Sequence, residues 1–292
     1  MKTFDRILEQ YRLIEQHYKF RRSHGYSLDL DNPSSFSEKI IWRKVYDRNP
    51  LFPVLADKYR SREYVLEKLG REAGKKIIVP LLFVTEDPRE IPFDDLPEEY
   101  ILKPNHGSGW YIIVDAQHPV SPKKVISKCM KWLNKTYGQS KLEWAYSQIK
   151  PCIIVEKLLK DRLGKMASDF KFFVFNGKVE WVYVVQDRFG LPSKVPYDRD
   201  FKRMDIVYGE KYEAVDIQKP TRFEEMIEIA EKLAQSLDFV RVDLYDADGA
   251  IFFGELTLYP GSGSNRLVPT DFDFYMGEKW NLNRKQTRRL KK

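Results

Sequence analysis

The stretch that most constrains this chain is a pair of expected strands near its C-terminal end, residues 239–245 and 250–258, around Asp246-Ala247-Asp248-Gly249. Side chains alternate between the two faces of a strand, so one face collects Val240, Val242, Leu244, Phe252, Gly254, Leu256 and Leu258. The other collects Arg241, Asp243, Tyr245, Glu255 and Thr257. A hairpin this one-sided has to lie on a core and turn its polar face elsewhere. With a loop of Ala247-Asp248-Gly249 and Gly249 in the left-handed position, Arg241 faces Glu255 and Asp243 faces Phe253. Asp243 and Glu255 are then diagonal neighbours. Carboxylates that close repel unless a cation joins them, and hard oxygen ligands suit Mg²⁺. The competing reading is a solvated face on which Arg241 neutralises Glu255 as a cross-strand ion pair.

The remaining periodicity predicts an α+β chain. Helices are expected over residues 3–22, 35–46 and 56–69, with Ser35 and Glu38 spaced as a capping box for the second. Strands follow at 76–84, 99–104, 111–114 and 152–156, interrupted by an amphipathic helix at 122–137. Two aromatic runs, 170–175 and 178–185, flank Asn176-Gly177, a strong hairpin signal. A helix at 222–237 precedes the last strand pair. The sum is an N-terminal helical region followed by a mostly antiparallel body.

Two further polar groups stand out. Asp169 and Lys171 share one face of a strand that is otherwise Phe and Val, where charge is costly unless partnered. They mark either a wet strand edge or a phosphate contact. Lys103 precedes the loop Asn105-His106-Gly107-Ser108-Gly109, whose glycines let backbone N–H groups approach an anion. A GxxxxGK[ST] loop and a GxGxxG turn are both missing from the sequence, which disfavours those nucleotide folds.

Bulk properties narrow the class. No apolar run approaches the roughly 18 residues of a membrane span, and the N-terminus carries charge throughout, unlike a secretory signal. Cys129 and Cys152 give neither a disulfide framework nor metal spacing, as expected of a soluble cytoplasmic protein. The net charge of +7 is dispersed, and no RRM, KH or zinc pattern accompanies it, so nucleic acid is not expected as a partner. The one dense basic run is the tail at 284–292, read first as a solvated terminus and alternatively as a contact for a membrane surface or anionic glycan.

The order of these parts is specific. A lysine strand with its glycine turn, Glu156-Lys157-Leu158, Asp169-x-Lys171, Arg241-Val242-Asp243 and Gly254-Glu255-Leu256-Thr257 with Pro260-Gly261-Ser262-Gly263 together resemble the ATP-grasp superfamily. Asn32-Pro33-x-x-Phe36-x-Glu38-Lys39 and Ala56-Asp57-Lys58-x-x-x-Arg62-x-Tyr64-Val65 resemble its TupA-like branch, associated with teichuronopeptide and other surface polysaccharides such as capsule. The resemblance implies two α+β subdomains clasping ATP within residues 75–280, a lid at 98–157 and a catalytic part at 158–275, between a helical region at 1–74 and a basic tail at 281–292. It implies that Lys103 and Lys171 contact ATP phosphates under a flap of His106, Gly107, Ser108 and Gly109. Glu156, Lys157 and Leu158 would read adenine, and Asp169 would lie towards the ribose. Asp243 and Glu255 would bind one or two Mg²⁺ ions, with Thr257 where the family usually has Asn. Arg241 would steady an acyl phosphate. The implied activity is amide formation between a carboxylate, expected to be a uronic-acid glycan or its precursor, and an amine, expected to be an amino acid.

Rival readings are a glycosyltransferase and an ATP-dependent kinase of a small acceptor. The glycosyltransferase needs a DxD, which Asp246-Ala247-Asp248 supplies, but turn chemistry alone favours aspartate there.

Overall fold

A computed structural model describes residues 2–161, 163–186, 192–211, 215, 217–247 and 249–282, with side chains at 8 and from 10 onward. The expected Arg and Lys tail at 284–292 lies outside these residues, as does Asp248 of the candidate DxD.

The body is a five-stranded antiparallel sheet in the order β10-β9-β5-β6-β7. Its nucleus is the hairpin of β5 (Ser168–Phe175) and β6 (Lys178–Gln186). Asn176 and Gly177 both have positive φ, 48° and 78°, the twist a two-residue hairpin turn requires. Strand β9 (Phe239–Ala247) pairs on the other side of β5, and β10 (Ala250–Thr257) flanks it as an edge. Strand β7 (Ser193–Asp198), which the periodicity did not suggest, closes the far edge and carries Pro196 where an edge tolerates it. Helix α7 (Phe223–Ala234) covers one face, packing Phe223 at a tilt against Phe172.

The opposite face changes character along its length, and this gradient positions the site. Phe175 pairs with Phe239 and Phe173 with Arg241 across β5 and β9, then Lys171 with Asp243 and Asp169 with Tyr245. The aromatic end is roofed by Phe36 of α2 (Phe36–Tyr46), whose ring meets Phe173, Phe175 and Phe239 edge-on. The ionic end is left for the cleft.

The β9–β10 register differs from the expectation. Ala247 pairs with Ala250, Phe253 with Leu244 and Glu255 with Asp243, with a bulge between Phe253 and Glu255. The turn therefore spans two residues rather than three. Asp243 faces Glu255 directly instead of Phe253, and Arg241 faces Thr257 instead of Glu255. The bulge switches parity: Ile251 and Phe253, not Phe252, join the core before it, and Leu256 after it. Gly254 permits the bulge, because a Cβ there would lie 3.0 Å from both the Asp243 carbonyl and the Tyr245 ring.

A second antiparallel sheet runs β1-β4-β2-β3: β1 (Leu81–Thr85), β4 (Ile153–Lys157), β2 (Tyr100–Pro104) and β3 (Ile112–Val114). Helix α6 (Pro122–Leu133) packs Val125, Cys129 and Trp132 against it. It stops short of the expected residue 137, at Asn134, whose side-chain amide donates to the Met130 carbonyl. The expected strand at 76–84 begins late, since α5 (Arg71–Ile77) takes its first residues and Pro80 precedes β1. The expected helix at 56–69 is two, α3 (Phe52–Ala56) and α4 (Ser61–Leu69). Asp57 breaks it by accepting the Tyr59 and Arg60 amides at 2.8 and 3.1 Å.

The N-terminal helices are tied to the body, which fixes that Asp57 turn beside the cleft. Ser35 and Glu38 form the expected capping box. Lys39 donates to the carbonyls of Gly277 and Trp280 at the end of α8 (Thr270–Lys279). Gly277 lies so close that a Cβ would meet the Ser34 carbonyl oxygen at 1.9 Å. Lys44 is buried and donates to Gln16, the Ser262 carbonyl and the Ser262 hydroxyl at 3.1, 2.9 and 3.0 Å.

Burial lowers the Lys44 ammonium to about 8, against the attraction of Glu143. Its folded-state value thus lies below the unfolded one of about 10.4, so its stability contribution is present above the unfolded value and is lost as pH falls from there towards 8. Relative to Lys44→Met, the wild-type protein should gain about 3 kcal/mol between pH 8 and 10.5 in urea denaturation, with no further change below pH 8.

Candidate active site

Between the two sheets lies an open cleft, lined from both sides. The small sheet contributes Lys103, Glu156 and Lys157, and the loop after β2 contributes Gly107, Ser108 and Gly109. The large sheet contributes Asp169, Tyr245, Gly254 and Glu255, and Leu158 lies in the connection between the sheets. The lining therefore joins Lys103, the glycine loop, the Glu156–Leu158 segment, Asp169 and Glu255, which are far apart in sequence.

Behind the lining residues Asp169 and Glu255 lies a tightly connected ion network, whose other members Lys171, Arg241, Asp243 and Thr257 do not themselves line the cleft. Lys171 Nζ lies 2.5 Å from Asp169 Oδ2 and 2.7 Å from Asp243 Oδ2. Arg241 grips Asp243 with Nε and a terminal nitrogen at 2.6 and 2.7 Å, a two-pronged geometry suited to a carboxylate. The same terminal nitrogen reaches Glu255 at 3.3 Å and the Thr257 hydroxyl at 2.9 Å. Thr257 in turn donates to Glu255 at 3.2 Å. The direct opposition of Asp243 and Glu255 created by the bulge is what lets one guanidinium serve both.

Asp243 is 1% exposed, whereas the Glu255 side chain is 26% exposed towards the cleft. Burial raises the Asp243 carboxyl, and Asp169 and Glu255 add to the rise, while Arg241 and Lys171 oppose it. Burial also opposes the Arg241 charge, but Asp243 outweighs it and holds the guanidinium protonated.

These residues suit a hard divalent cation: two opposed carboxylates, a third carboxylate at Asp169 and a hydroxyl, all oxygen donors. As described, their oxygens are engaged by Arg241, Lys171 and Lys58. Among the described residues no three acidic, His or Cys side chains converge as a ready-made metal group. A cation entering here shares these carboxylates with their present partners.

At the other end, Glu156 is buried between two cations, Lys103 at 2.7 Å and Arg62 at 3.0 Å. It is Lys103's counter-ion, not an open polar edge. His106 stands apart from the cleft lining: it is buried, its Nε2 donates to the Lys135 carbonyl at 3.1 Å, and burial lowers its pKa. It anchors the loop root, while Trp110 stacks parallel to Trp132 and meets Tyr137 edge-on.

Sequence reasoning assigned no chemistry to two residues that reach this site, Lys58 and Arg62. Lys58 Nζ lies 3.2 Å from Glu255 Oε2, and Arg62 pairs with Glu156. The available signal was their shared motif, Asp57-Lys58-x-x-x-Arg62, which stood out as a pattern only. Of the rival DxD, Asp246 is engaged in turn chemistry, its carboxylate accepting the Gly249 amide at 2.7 Å.

Removing Arg241 alone should leave the buried Asp243 and the half-buried Glu255 without their shared partner. Arg241→Met should therefore lower stability by about 3–5 kcal/mol in urea denaturation, whereas the exposed Arg89→Met should leave the midpoint essentially unchanged.

No curated protein sequence matches the chain. Among solved structures, it is similar to D-alanine–D-alanine ligase from Bacillus anthracis complexed with ATP, at 18% identity and a TM-score of 0.40, covering 70% of this chain and 55% of that one. It is similar to L-amino acid ligase from Bacillus licheniformis at 13% identity and a TM-score of 0.45, covering 71% and 44%. The Helicobacter pylori D-alanine–D-alanine ligase matches at 14% identity and 0.45, covering 84% and 65%. The chain thus spans about half to two-thirds of the length of these structures. The sequence model of the TupA-like ATP-grasp family matches residues 38–281, most of the chain and all of the cleft's strands. With its N-terminal helices, two α+β halves and the cleft between them, this chain belongs to the TupA-like ATP-grasp family.

Proposed function

We propose that this chain is an ATP- and Mg²⁺-dependent carbon–nitrogen ligase that activates a carboxylate as an acyl phosphate and passes the acyl group to an amine. The observation that carries this reading is the opposition, across one cleft, of Lys103 and the glycine flap to Asp169 and Glu255, behind which Lys171, Arg241 and Asp243 continue the ion network. On this reading residues 98–157 form the lid and 158–275 the catalytic part of an ATP-grasp body at 75–280.

Adenine would sit beside Lys157 and Leu158, and the phosphates would run beneath Gly107, Ser108 and Gly109 towards Lys103 and Lys171. The close Asp169–Lys171 pair supports a role for Asp169 in aiming Lys171 rather than in holding ribose. Asp243 and Glu255 would hold Mg²⁺, which when bound neutralises phosphate charge and orients the chain for transfer. The Thr257 hydroxyl, held between Arg241 and Glu255, would steady Glu255 rather than ligate, which favours one ion over two.

The chemistry is largely placement and charge neutralisation. A substrate carboxylate oxygen bonds to the γ-phosphorus as the bond to the ADP oxygen breaks. The amine nitrogen then bonds to the acyl carbon, phosphate leaves with the C–O pair, and the amine loses a proton. Lys103, Lys171 and Arg241 would hold the phosphoryl oxygens through both steps, and the flap would keep water from the acyl phosphate. On this reading, and by the resemblance to the TupA-like branch alone, the carboxylate belongs to a uronic-acid glycan or its precursor and the amine to an amino acid. No described helix is long and apolar enough to cross a membrane. On this reading the reaction would run in the cytoplasm, where ATP is supplied.

The test is ADP release with a panel of amino acids and uronic-acid sugars, with wild type beside Asp243→Asn. Release should require both an amine and a carboxylate, yield an amide, and fall about 100-fold or more in the variant. Equal rates in wild type and variant would overturn the site. A stable phosphorylated product without amide would identify a kinase instead.

A further inference from the structure

The cleft has a third wall that neither sheet supplies. The turn between α3 and α4 sets Lys58 against the flap and the carboxylates together: its Nζ donates to the Gly107 carbonyl at 2.5 Å and lies 3.2 Å from Glu255 Oε2. The Lys58 side chain is only 12% exposed and lines the cleft. Its position is set from both sides. Asp57 accepts the Tyr59 and Arg60 amides, which holds the turn. The Lys58 amide donates to the Asn105 carbonyl at 3.0 Å. Asn105 is the root of the flap, pinned by its amide on the Cys152 carbonyl and by its side chain accepting the Cys152 amide.

The flap end of this bridge is equally fixed. Gly107 packs beneath Trp110 so closely that a Cβ would lie 2.8 Å from the indole. Only glycine fits there, and the packing holds the Gly107 carbonyl where Lys58 meets it. Neutralising Glu255 does not by itself require Lys58, because Arg241 already reaches that carboxylate. A second largely buried cation on one carboxylate is costly to desolvate unless its other contacts do work.

We propose that Lys58 is a positioning residue that couples the glycine flap to Glu255, so that flap closure and ordering of the reaction centre occur as one event. This rests on the ATP-ligase reading. An ammonium has three donors, and the two contacts above use two. Both are spent on protein groups, so Lys58 acts through the flap and Glu255.

The test compares wild type, Lys58→Met and Lys58→Arg by amide hydrogen exchange and by ADP formation. In nucleotide-free protein, Lys58→Met should exchange the amides of residues 107–110 about tenfold faster, with the 176–177 hairpin unchanged. ADP formation should fall about 100-fold while the Kd for ATP with Mg²⁺ rises less than about threefold. Lys58→Arg should recover part of both losses. Wild-type flap exchange in Lys58→Met would overturn the bridge, as would a rate loss matched by an equal loss of affinity. Should wild type fail to bind ATP, the ligase reading falls, and the nucleotide-free exchange comparison still decides the bridge. If Lys58→Met does not fold, Lys58→Gln is read by the same exchange criterion.

Discussion

Asp243 sits at the centre of a buried charge network: one carboxylate, 1% exposed, held by Arg241 from its own strand and by Lys171 from the strand beside it. Around it Asp169, Glu255 and Lys58 complete an alternation of sign. Each of these groups alone would be expensive to remove from water, and together they are tolerable only at hydrogen-bond distance. That requirement reaches into the rest of the fold. β5, β9 and β10 must be neighbours in register, Gly254 must bulge, and the α3–α4 turn must come to rest beside them.

A network of this kind is a poor way to gain stability, since well-packed apolar side chains of similar volume do as well or better. Its value lies in being exchangeable. Glu255 faces the cleft and is shared among Arg241, Thr257 and Lys58, so its partners can be redistributed when a cation or phosphate arrives. The aromatic end of the same face, where Phe173, Phe175, Phe239 and Trp280 pack under Phe36, supplies the rigidity the ionic end lacks. Rigid support beside a rearrangeable charge cluster is what a phosphoryl-transfer site needs.

The sequence made local features readable because they depend on near neighbours. The Asn176-Gly177 turn, the Ser35–Glu38 capping box and the polar stripe of Asp243 and Glu255 are each written within a few residues. The one-sided hairpin was legible, but its register was not: Gly254 looked like a core-face residue, whereas it is the bulge that changes which residues count as core. Sheet order was beyond reach, because β5 meets β9 across more than sixty residues of chain. Arg62 and Lys58 were hidden for the same reason. Each belongs to a helical region whose local pattern says only that it is charged, and its partners Glu156 and Glu255 are brought to it by the tertiary fold. His106 shows the reverse error, since a histidine in a glycine loop invites a ligand role while burial turns it towards the Lys135 carbonyl.

In the function proposed above, the cleft between the sheets holds ATP with Mg²⁺. Trp110 lines that cleft and packs on the flap residue Gly107, so its fluorescence reports occupancy directly. Titration with a non-hydrolysable ATP analogue should give a saturable change that strengthens with Mg²⁺ in wild type and loses that Mg²⁺ dependence in Glu255→Gln. A response to UDP-sugars with Mn²⁺ in place of ATP, or an ATP response indifferent to both Mg²⁺ and Glu255, would contradict the account.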